Sequence, residues 1–304
     1  VSSRGVYKFP VEDKKSTKYE DHQCSSYDVE ACSWSNIPDE DFALADDNHW
    51  TIGQFVWTGF DYLGEPSPYD TDAWPNHSSM FGIIDLASLP KDRYYLYRSV
   101  WNKDAETLHI LPHWTWPERE GEVTPIFVYT NYPTAELFIN GKSYGKQSKN
   151  NSSLKNRYRL MWMDAVYEPG EVKVVAYNKD GKAVAEKVVR TAGKPHHIEL
   201  VSNRNELTAD GKDLAYVTVK VVDKDGNLCP TDNRQINFSA KGAGKYRAAA
   251  NGDPTNLEQF HLPKMHAFNG MLTAIIQAGE TAGEIVFTAK ANGVKAGNIR
   301  IQTK

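Results

Sequence analysis

The segment IGQFVWTGF, residues 52–60, is largely apolar and shows no alternation between apolar and polar residues. A strand with one face in solvent alternates with a period of two, whereas a strand of a parallel sheet is covered on both faces and is apolar throughout. We therefore expect residues 52–60 to form a strand with apolar cover on both sides. Such a strand belongs inside a sheet or a barrel and not at an edge that faces solvent.

A polar loop and two helices are predicted around this strand. The run DYLGEPSP, residues 61–68, follows it directly and indicates a turn-rich loop that carries carboxylates and aromatic rings. Residues 39–45 begin with three acids, which the N-terminal end of a helix dipole favours. Residues 92–101 repeat apolar or aromatic side chains three and four positions apart, as an amphipathic helix does. Residues 1–104 are therefore predicted to be an α/β region.

From about residue 105 the apolar period changes to two, and turn signals separate short alternating runs. This pattern is typical of β-sandwiches. One sandwich is predicted at residues 105–193, with a hairpin turn at Asn140-Gly141, and a second at residues 194–304. The predicted strands are residues 124–129, 135–139, 172–177, 216–222, 235–238, 272–276, 284–289 and 298–302.

Composition narrows the classes of function. The 304 residues carry 35 Lys and Arg against 39 Asp and Glu, and no basic block stands out, which argues against a nucleic-acid partner. No run approaches the roughly 18 apolar residues that span a bilayer, so no membrane span is predicted. The first ten residues also lack the apolar core of a signal peptide. Aromatic residues reach 12%, a surplus found where rings stack on sugars or fill sandwich cores.

Neither a disulfide framework nor a metal site is predicted. Three cysteines, Cys24, Cys32 and Cys229, allow at most one internal disulfide, and buried free thiols are favoured. His196 and His197 are adjacent on a predicted strand, so their side chains should point to opposite faces and not share an ion. Residues 251–254 lack the spaced oxygen ligands of a calcium loop and are predicted to form a tight turn.

Several motifs resemble glycoside hydrolase family 2, in particular its β-galactosidase branch. The most specific are FVWTGFDYLGEP at residues 55–66, FGIID at residues 81–85 and PKD at residues 90–92. Weaker matches follow in the family's order and extend the resemblance over essentially the whole chain. They are VSSRGVY (1–7), LHILP (108–112), LFINGK (137–142), TADGKDL (208–214), NGDP (251–254) and AFNG (267–270).

The resemblance implies a mixed fold, the C-terminal part of a (β/α)8 TIM barrel followed by two immunoglobulin-like β-sandwich domains. Residues 1–104 would be the barrel portion, residues 105–193 the first sandwich and residues 194–304 a second, invasin-like one. Two sandwiches and most of the barrel would then precede Val1 and act as this chain's partner. The resemblance also suggests a bacterial glycan-degrading enzyme of the periplasm or the extracellular space.

The implied activity is that of a retaining exo-glycosidase acting on terminal β-galactosides or oligosaccharides, without a cofactor. Such an enzyme needs two carboxyl groups about 5 Å apart at the C-terminal rim of the barrel. The resemblance places both glutamates before Val1, so this chain should hold no catalytic residue and should be inactive alone. The related β-glucuronidase and β-mannosidase chemistries would use a similar arrangement.

Trp57, Asp61 and Trp74 are the candidate substrate-binding residues. By resemblance, the indole of Trp57 lies under the apolar face of a galactosyl ring; the alternative is a core tryptophan. Asp61 is expected to orient its loop or to meet a substrate hydroxyl. Trp74, with Tyr69 and His77, would form the wall of an outer subsite, unless the loop is an ordinary exposed one.

Two alternatives stay open on the sequence alone. Asp61 and Glu65 follow a buried strand and could act as catalytic acids, but acids at strand ends more often cap turns or pair with cations. A structural or solvated role is expected for Glu65, and Asp85 is expected to be a turn acid. The whole chain could instead be a non-catalytic carbohydrate-binding or adhesive β-sandwich protein with residues 1–104 as a cap. That hypothesis leaves the apolar strand at residues 52–60 without cover.

Overall fold

The computed structural model describes residues 26–29, 31, 34–66 and 74–304. Within them the chain forms three helices, α1 (Pro38–Asp47), α2 (Asp92–Trp101) and α3 (Leu154–Tyr158). The strands are β1 (Leu108–Leu111), β2 (Ile126–Thr130), β3 (Thr134–Ile139), β4 (Lys142–Ser148), β5 (Leu160–Trp162), β6 (Glu171–Tyr177), β7 (Ala183–Arg190), β8 (His197–Ser202), β9 (Glu206–Leu207), β10 (Leu214–Val222), β11 (Gln235–Gly242), β12 (Gly244–Ala250), β13 (Lys264–His266), β14 (Met271–Ala278), β15 (Gly283–Lys290) and β16 (Gly297–Thr303).

Both predicted helices are confirmed. α1 has Pro38 at its start and three acids in its first turn, and it buries Phe42 and Ala43. α2 carries Asp92 in its first turn and Arg98 in its last, an arrangement that suits the helix dipole. It buries Leu96 and Tyr97, and these side chains join the same apolar cluster as those of α1.

The predicted strand at residues 52–60 is not formed, and this corrects the expected barrel portion. Its one bridge among the described residues is a parallel one between Phe60 and Ile84. Ile52 and Phe55 are fully exposed, and Trp57 and Phe60 are more than half exposed. A strand in the interior of a parallel sheet has hydrogen-bonding neighbours on both edges. In the described part of the chain only the segment around residues 83–84 lies along one edge, so no barrel wall forms there.

The first β-sandwich is confirmed by two facing sheets. One has the strand order β1-β2-β5 and the other β4-β3-β6-β7, with all pairs antiparallel. Burial alternates along β3 and β6, as their period of two predicts. Asn140 and Gly141 both have positive φ, which is the geometry of the predicted hairpin turn. Large buried side chains fill the space between the sheets, among them Trp114, Trp116, Trp162 and Tyr167.

The second β-sandwich has larger sheets. Their strand orders are β12-β14-β10-β8 and β13-β11-β15-β16-β9, and within them only the β9–β16 pair is parallel. The core between the sheets is made of aliphatic residues with Phe238, Phe287 and the buried free Cys229. Cys24 and Cys32 lie outside the described residues. The linker to the first sandwich is fixed where the Gly193 amide donates to the Asp223 carboxylate at 2.8 Å.

The strand β2 joins the helical region to the first sandwich. All five of its residues are buried. Ile126 and Val128 face the sandwich interior, whereas Phe127 and Tyr129 pack in the cluster that contains the side chains of α1 and α2. The two helices therefore cover the outer face of the three-stranded sheet. In the part of the chain that the structure describes, no helix is long and apolar enough to cross a membrane.

Candidate functional site

Three aromatic rings form a row around Trp57. The indole of Trp57 is 75% exposed and meets the ring of Tyr62 edge-on, with a centroid distance of 6.3 Å. Tyr62 in turn meets Phe81 edge-on at 5.9 Å. The peptide bond between Trp57 and Thr58 is cis. An exposed indole supported at its edge presents a flat apolar surface, which is what the CH face of a sugar ring requires.

Asp61, which directly precedes Tyr62, is buried, and both of its carboxylate oxygens are engaged. Oδ2 forms an ion pair with Lys91 Nζ at 2.5 Å, and Oδ1 accepts the Gly82 amide at 2.8 Å. Lys91 Nζ also donates to the Met80 carbonyl at 3.1 Å. A Cβ at Gly82 would fall 2.3 Å from the Asp61 backbone nitrogen, so only glycine fits there. These contacts fix the start of the loop against residues 80–82, and they support the loop-orienting role proposed for Asp61.

Glu65 is exposed and accepts a hydrogen bond from the Tyr62 hydroxyl. This hydrogen bond, with burial as a smaller contribution, raises the pKa of Tyr62. Glu65 therefore holds Tyr62 in place. Because Lys91 and Gly82 occupy the Asp61 carboxylate, Asp61 and Glu65 do not form the pair of available carboxyl groups that glycoside hydrolysis needs.

Trp74 and His77 lie on the neighbouring segment. The Trp74 indole is 68% exposed, and its centroid is 6.3 Å from that of the His77 ring. The His77 carbonyl accepts the Gly64 amide at 2.9 Å, and the Ser79 amide donates to the Tyr62 carbonyl at 2.9 Å. The segment at residues 77–79 is thus held beside the loop that carries Tyr62. Tyr69, the third member of the predicted wall, lies outside the described residues.

Asp85 organises the turn that leads to α2. Its Oδ1 accepts the amides of Ala87 and Leu89 at 2.8 and 2.9 Å, as expected for a turn acid. Burial raises the pKa of the Asp85 carboxyl to about 6, although these two amides and the charge of Lys91 oppose the rise.

The histidine pair differs from the prediction. The Nδ1 atoms of His196 and His197 are 3.0 Å apart, so the two side chains do not point to opposite faces. His196 precedes β8, and only His197 belongs to the strand, so strand alternation does not apply to the pair. No group of three or more His, Cys, Asp or Glu residues that could hold a metal ion is found in the described residues.

Two residues of this site lie within the family motifs but were not predicted as site residues. Gly82 lies in FGIID and Lys91 in PKD, and both contact Asp61. The strings marked these positions, but no sequence spacing indicated that they meet one carboxylate.

Comparison with known proteins settles the family. The model of the glycoside hydrolase family 2 C-terminal domain 5 matches residues 198–300, and a domain model of unknown function matches residues 121–185. The beta-galactosidase BoGH2A of Bacteroides ovatus is 41% identical over 312 aligned residues, which cover 100% of this chain and 35% of that protein. This chain belongs to glycoside hydrolase family 2.

Two further proteins similar to this chain are also glycosidases by name. A putative beta-glucuronidase of Formosa agariphila is 35% identical over 68% of this chain and 20% of its own length. The crystal structure of a beta-glycosidase from Bacteroides vulgatus superposes with a TM-score of 0.82 at 31% identity, covering 91% of this chain and 34% of that one. The chain therefore spans between 20% and 35% of the length of these relatives. These matches favour an enzyme over an adhesive β-sandwich protein.

Proposed function

We propose that this chain is the C-terminal part of a retaining exo-glycosidase that hydrolyses terminal β-galactosides. The main support is the 41% identity to a beta-galactosidase over the full length of the chain. The catalytic acid and the nucleophile would be glutamates of the enzyme outside this chain. The chain itself would contribute the aromatic platform of Trp57 and the outer wall at Trp74 and His77.

One structural observation supports the proposal that this chain is part of a larger enzyme. Beside the Trp57 platform, four large apolar side chains on nearby positions of the chain are also exposed, those of Trp50, Ile52, Phe55 and Phe60. The backbone of residues 58–60 is paired only along the side that faces residues 83–84 among the described residues. An exposed apolar segment whose backbone is unpaired along one edge is what a single segment of a (β/α)8 barrel wall would present without its neighbours. We infer that the rest of the enzyme covers this face and completes the barrel.

In this proposal the residues of the chain bind and orient, and they transfer no proton. The galactosyl ring packs its CH face on the Trp57 indole, which Tyr62 supports from the side. The Asp61–Lys91 ion pair and the Gly82 amide hold the loop that follows Trp57. Such positioning places the anomeric carbon between the two carboxyl groups, which lie about 5 Å apart in retaining enzymes.

A β-glucuronide is the second candidate substrate, because a putative beta-glucuronidase is 35% identical over 68% of the chain. A uronate carboxylate needs a cation or several donors. Lys91, which lies beside the site, is partly buried and already paired with Asp61. Because Lys91 is already paired with a carboxylate, it is less available to a uronate, and this favours the neutral galactoside as the substrate.

The test is a comparison of substrates with the full-length enzyme. The 4-nitrophenyl β-D-galactoside should be hydrolysed with a higher kcat/KM than the β-glucuronide or β-mannoside, and NMR should show the β-anomer as the first product. The 304-residue chain alone should hydrolyse none of them. If the enzyme prefers the glucuronide, the proposed substrate is wrong and the β-glucuronide takes its place. If the pure, mass-verified chain alone shows turnover, the placement of the glutamates outside this chain is wrong.

A further inference from the structure

A loop of the second sandwich reaches the candidate site. This loop, residues 251–258, follows β12 and precedes β13. The Pro254 carbonyl accepts the His77 amide at 3.1 Å. Gly252 packs on Asp85 so closely that a Cβ on Gly252 would fall 2.1 Å from Asp85 Oδ2. The second sandwich therefore contacts the site segment at two points, residues 77 and 85.

The loop is held firmly on its own domain. Asn251 Nδ2 donates to the His266 carbonyl at 2.9 Å, and its Oδ1 accepts the Asp253 amide at 3.2 Å. The Asp253 carboxylate accepts the amide and hydroxyl of Thr255 at 2.8 and 2.6 Å. Glu258 accepts the His266 amide at 2.9 Å. Because the loop is tied to β13 in this way, it can act as a fixed support for the segment around His77.

A polar pocket opens beside this contact. Its volume is about 390 Å³, and Asp253 and Thr255, which flank Pro254 in the sequence, lie in its wall. Carboxylates, amides and an aromatic ring are the groups that bind sugar hydroxyls and the flat face of a sugar ring. The side chains that matter here are Asn251, Asp253, Asn256, Glu258, His266 and Phe268.

Two buried polar atoms on either side of the contact lack a hydrogen-bond partner among the described residues. They are Asn256 Nδ2 in the pocket wall and Asn76 Oδ1 next to His77. Asn76 is a buried residue, with 5% of its surface exposed. A buried polar group without a partner costs about 1–3 kcal/mol, and a bound ligand is one way in which that cost is offset. The Asn256 donor in the wall of a polar pocket fits a hydroxylated ligand.

We propose that the second sandwich forms an outer sugar subsite together with the Trp74–His77 segment. In an oligosaccharide substrate the terminal sugar would occupy the Trp57 platform, and a sugar further along the chain would lie between the Trp74 ring and the pocket of the 251–258 loop. Asn256 Nδ2 donates to a hydroxyl of that sugar. The inference rests on the proposed function, since it extends the same site to bind an oligosaccharide instead of a single sugar.

The experiment compares two substrates in the full-length enzyme. The 4-nitrophenyl β-D-galactoside fills only the inner site, whereas a β-galactosyl-terminated tetrasaccharide extends to the outer one. Asn256→Ala should keep kcat/KM on the aryl galactoside within about twofold and lower it on the tetrasaccharide by about five- to tenfold, mainly through KM, as for one lost hydrogen bond. Gly252→Ala should show the same selectivity, because its Cβ displaces the loop from Asp85.

The matched control is Asn205→Ala. Asn205 is exposed and directly precedes β9, at the opposite edge of the five-stranded sheet from β13. It should leave both substrates unchanged. Two results would contradict the outer subsite and leave the proposed galactosidase activity intact. They are an equal loss of kcat/KM on both substrates, and no loss of kcat/KM on the tetrasaccharide with either loop variant. Wild-type enzyme that hydrolyses neither galactoside would overturn the proposed function and this inference with it.

Discussion

Arg159 and Asp39 form an ion pair in which neither side chain is exposed to solvent. Arg159 Nε donates to Asp39 Oδ1 at 2.9 Å, and the guanidinium also donates to the carbonyls of Tyr27 and Asp28 at 2.6 and 2.7 Å. Asp39 lies in the first turn of α1, and Arg159 lies between α3 and β5 of the first sandwich. The pair therefore joins the helical region to the sandwich at a point buried from solvent.

Replacing one partner of this pair should destabilise the chain strongly. Arg159→Met leaves the Asp39 carboxylate buried without a cation, and the expected loss is about 3–5 kcal/mol in the free energy of unfolding. Urea denaturation followed by circular dichroism measures it. Arg190→Met is the control, because the Arg190–Glu171 pair is exposed and should contribute less than about 1 kcal/mol. Similar losses for the two variants would show that the buried pair has no special role.

Substitution of Trp57 tests the aromatic platform. Trp57→Ala in the full-length enzyme should lower kcat/KM for an aryl galactoside by about tenfold or more, because the sugar loses its stacking surface. Trp57→Phe should recover part of the loss. The melting temperature should change little for either variant. A lower melting temperature with unchanged kinetics would instead identify Trp57 as a core residue.

His113 should give the chain an acid-sensitive contribution to stability. Burial lowers the pKa of His113 to about 4, and its ring stacks on Trp116 at 3.9 Å. Between about pH 6.5 and pH 4 the unfolded chain binds a proton that the folded chain does not, so stability falls as the pH falls through this range. The full loss is about 3 kcal/mol.

The variant His113→Phe keeps a ring on Trp116 and removes the proton-binding group. Its stability, measured by urea denaturation at three pH values between about 7 and 4.5, should fall less steeply with acid than that of the wild type. His261→Phe, at an exposed position, serves as the control. Parallel pH curves for the wild type and His113→Phe would contradict the prediction.

Cys229 should resist alkylation in the folded chain. Burial, with the charges of Asp223 and Asp232, raises the pKa of the Cys229 thiol to about 11. The reactive thiolate is therefore scarce at about pH 8. Mass spectrometry of peptides after iodoacetamide treatment should find Cys229 unmodified before denaturation and modified after it. Rapid labelling of the native chain would show that this core opens.

The sequence predicted those elements whose signals are local. The strands β6 and β10 alternate in burial as their residues alternate in polarity, and the turn at Asn140-Gly141 follows from two adjacent residues that tolerate positive φ. The helix α2 follows from its spacing of three and four. In each case the physical cause lies within about ten residues of chain.

The failures concern contacts between distant segments. The apolar pattern of residues 52–60 predicts cover on both faces, but it does not specify which segment supplies that cover, and the described residues supply little of it. Arg159 and Asp39 are 120 residues apart, and no motif links them. The contact of Gly252 with Asp85 is likewise a matter of shape, since glycine is common in turns whether or not a distant side chain packs against it.

The double burial of β2 has a consequence for how such proteins evolve. Phe127 and Tyr129 need the helices on one side as much as Ile126 and Val128 need the sandwich on the other. A gene rearrangement that joined a foreign N-terminal region at residue 105 would leave two aromatic side chains facing a surface that did not evolve with them. Recombination among relatives should therefore exchange the two helices and the first sandwich as one inherited block.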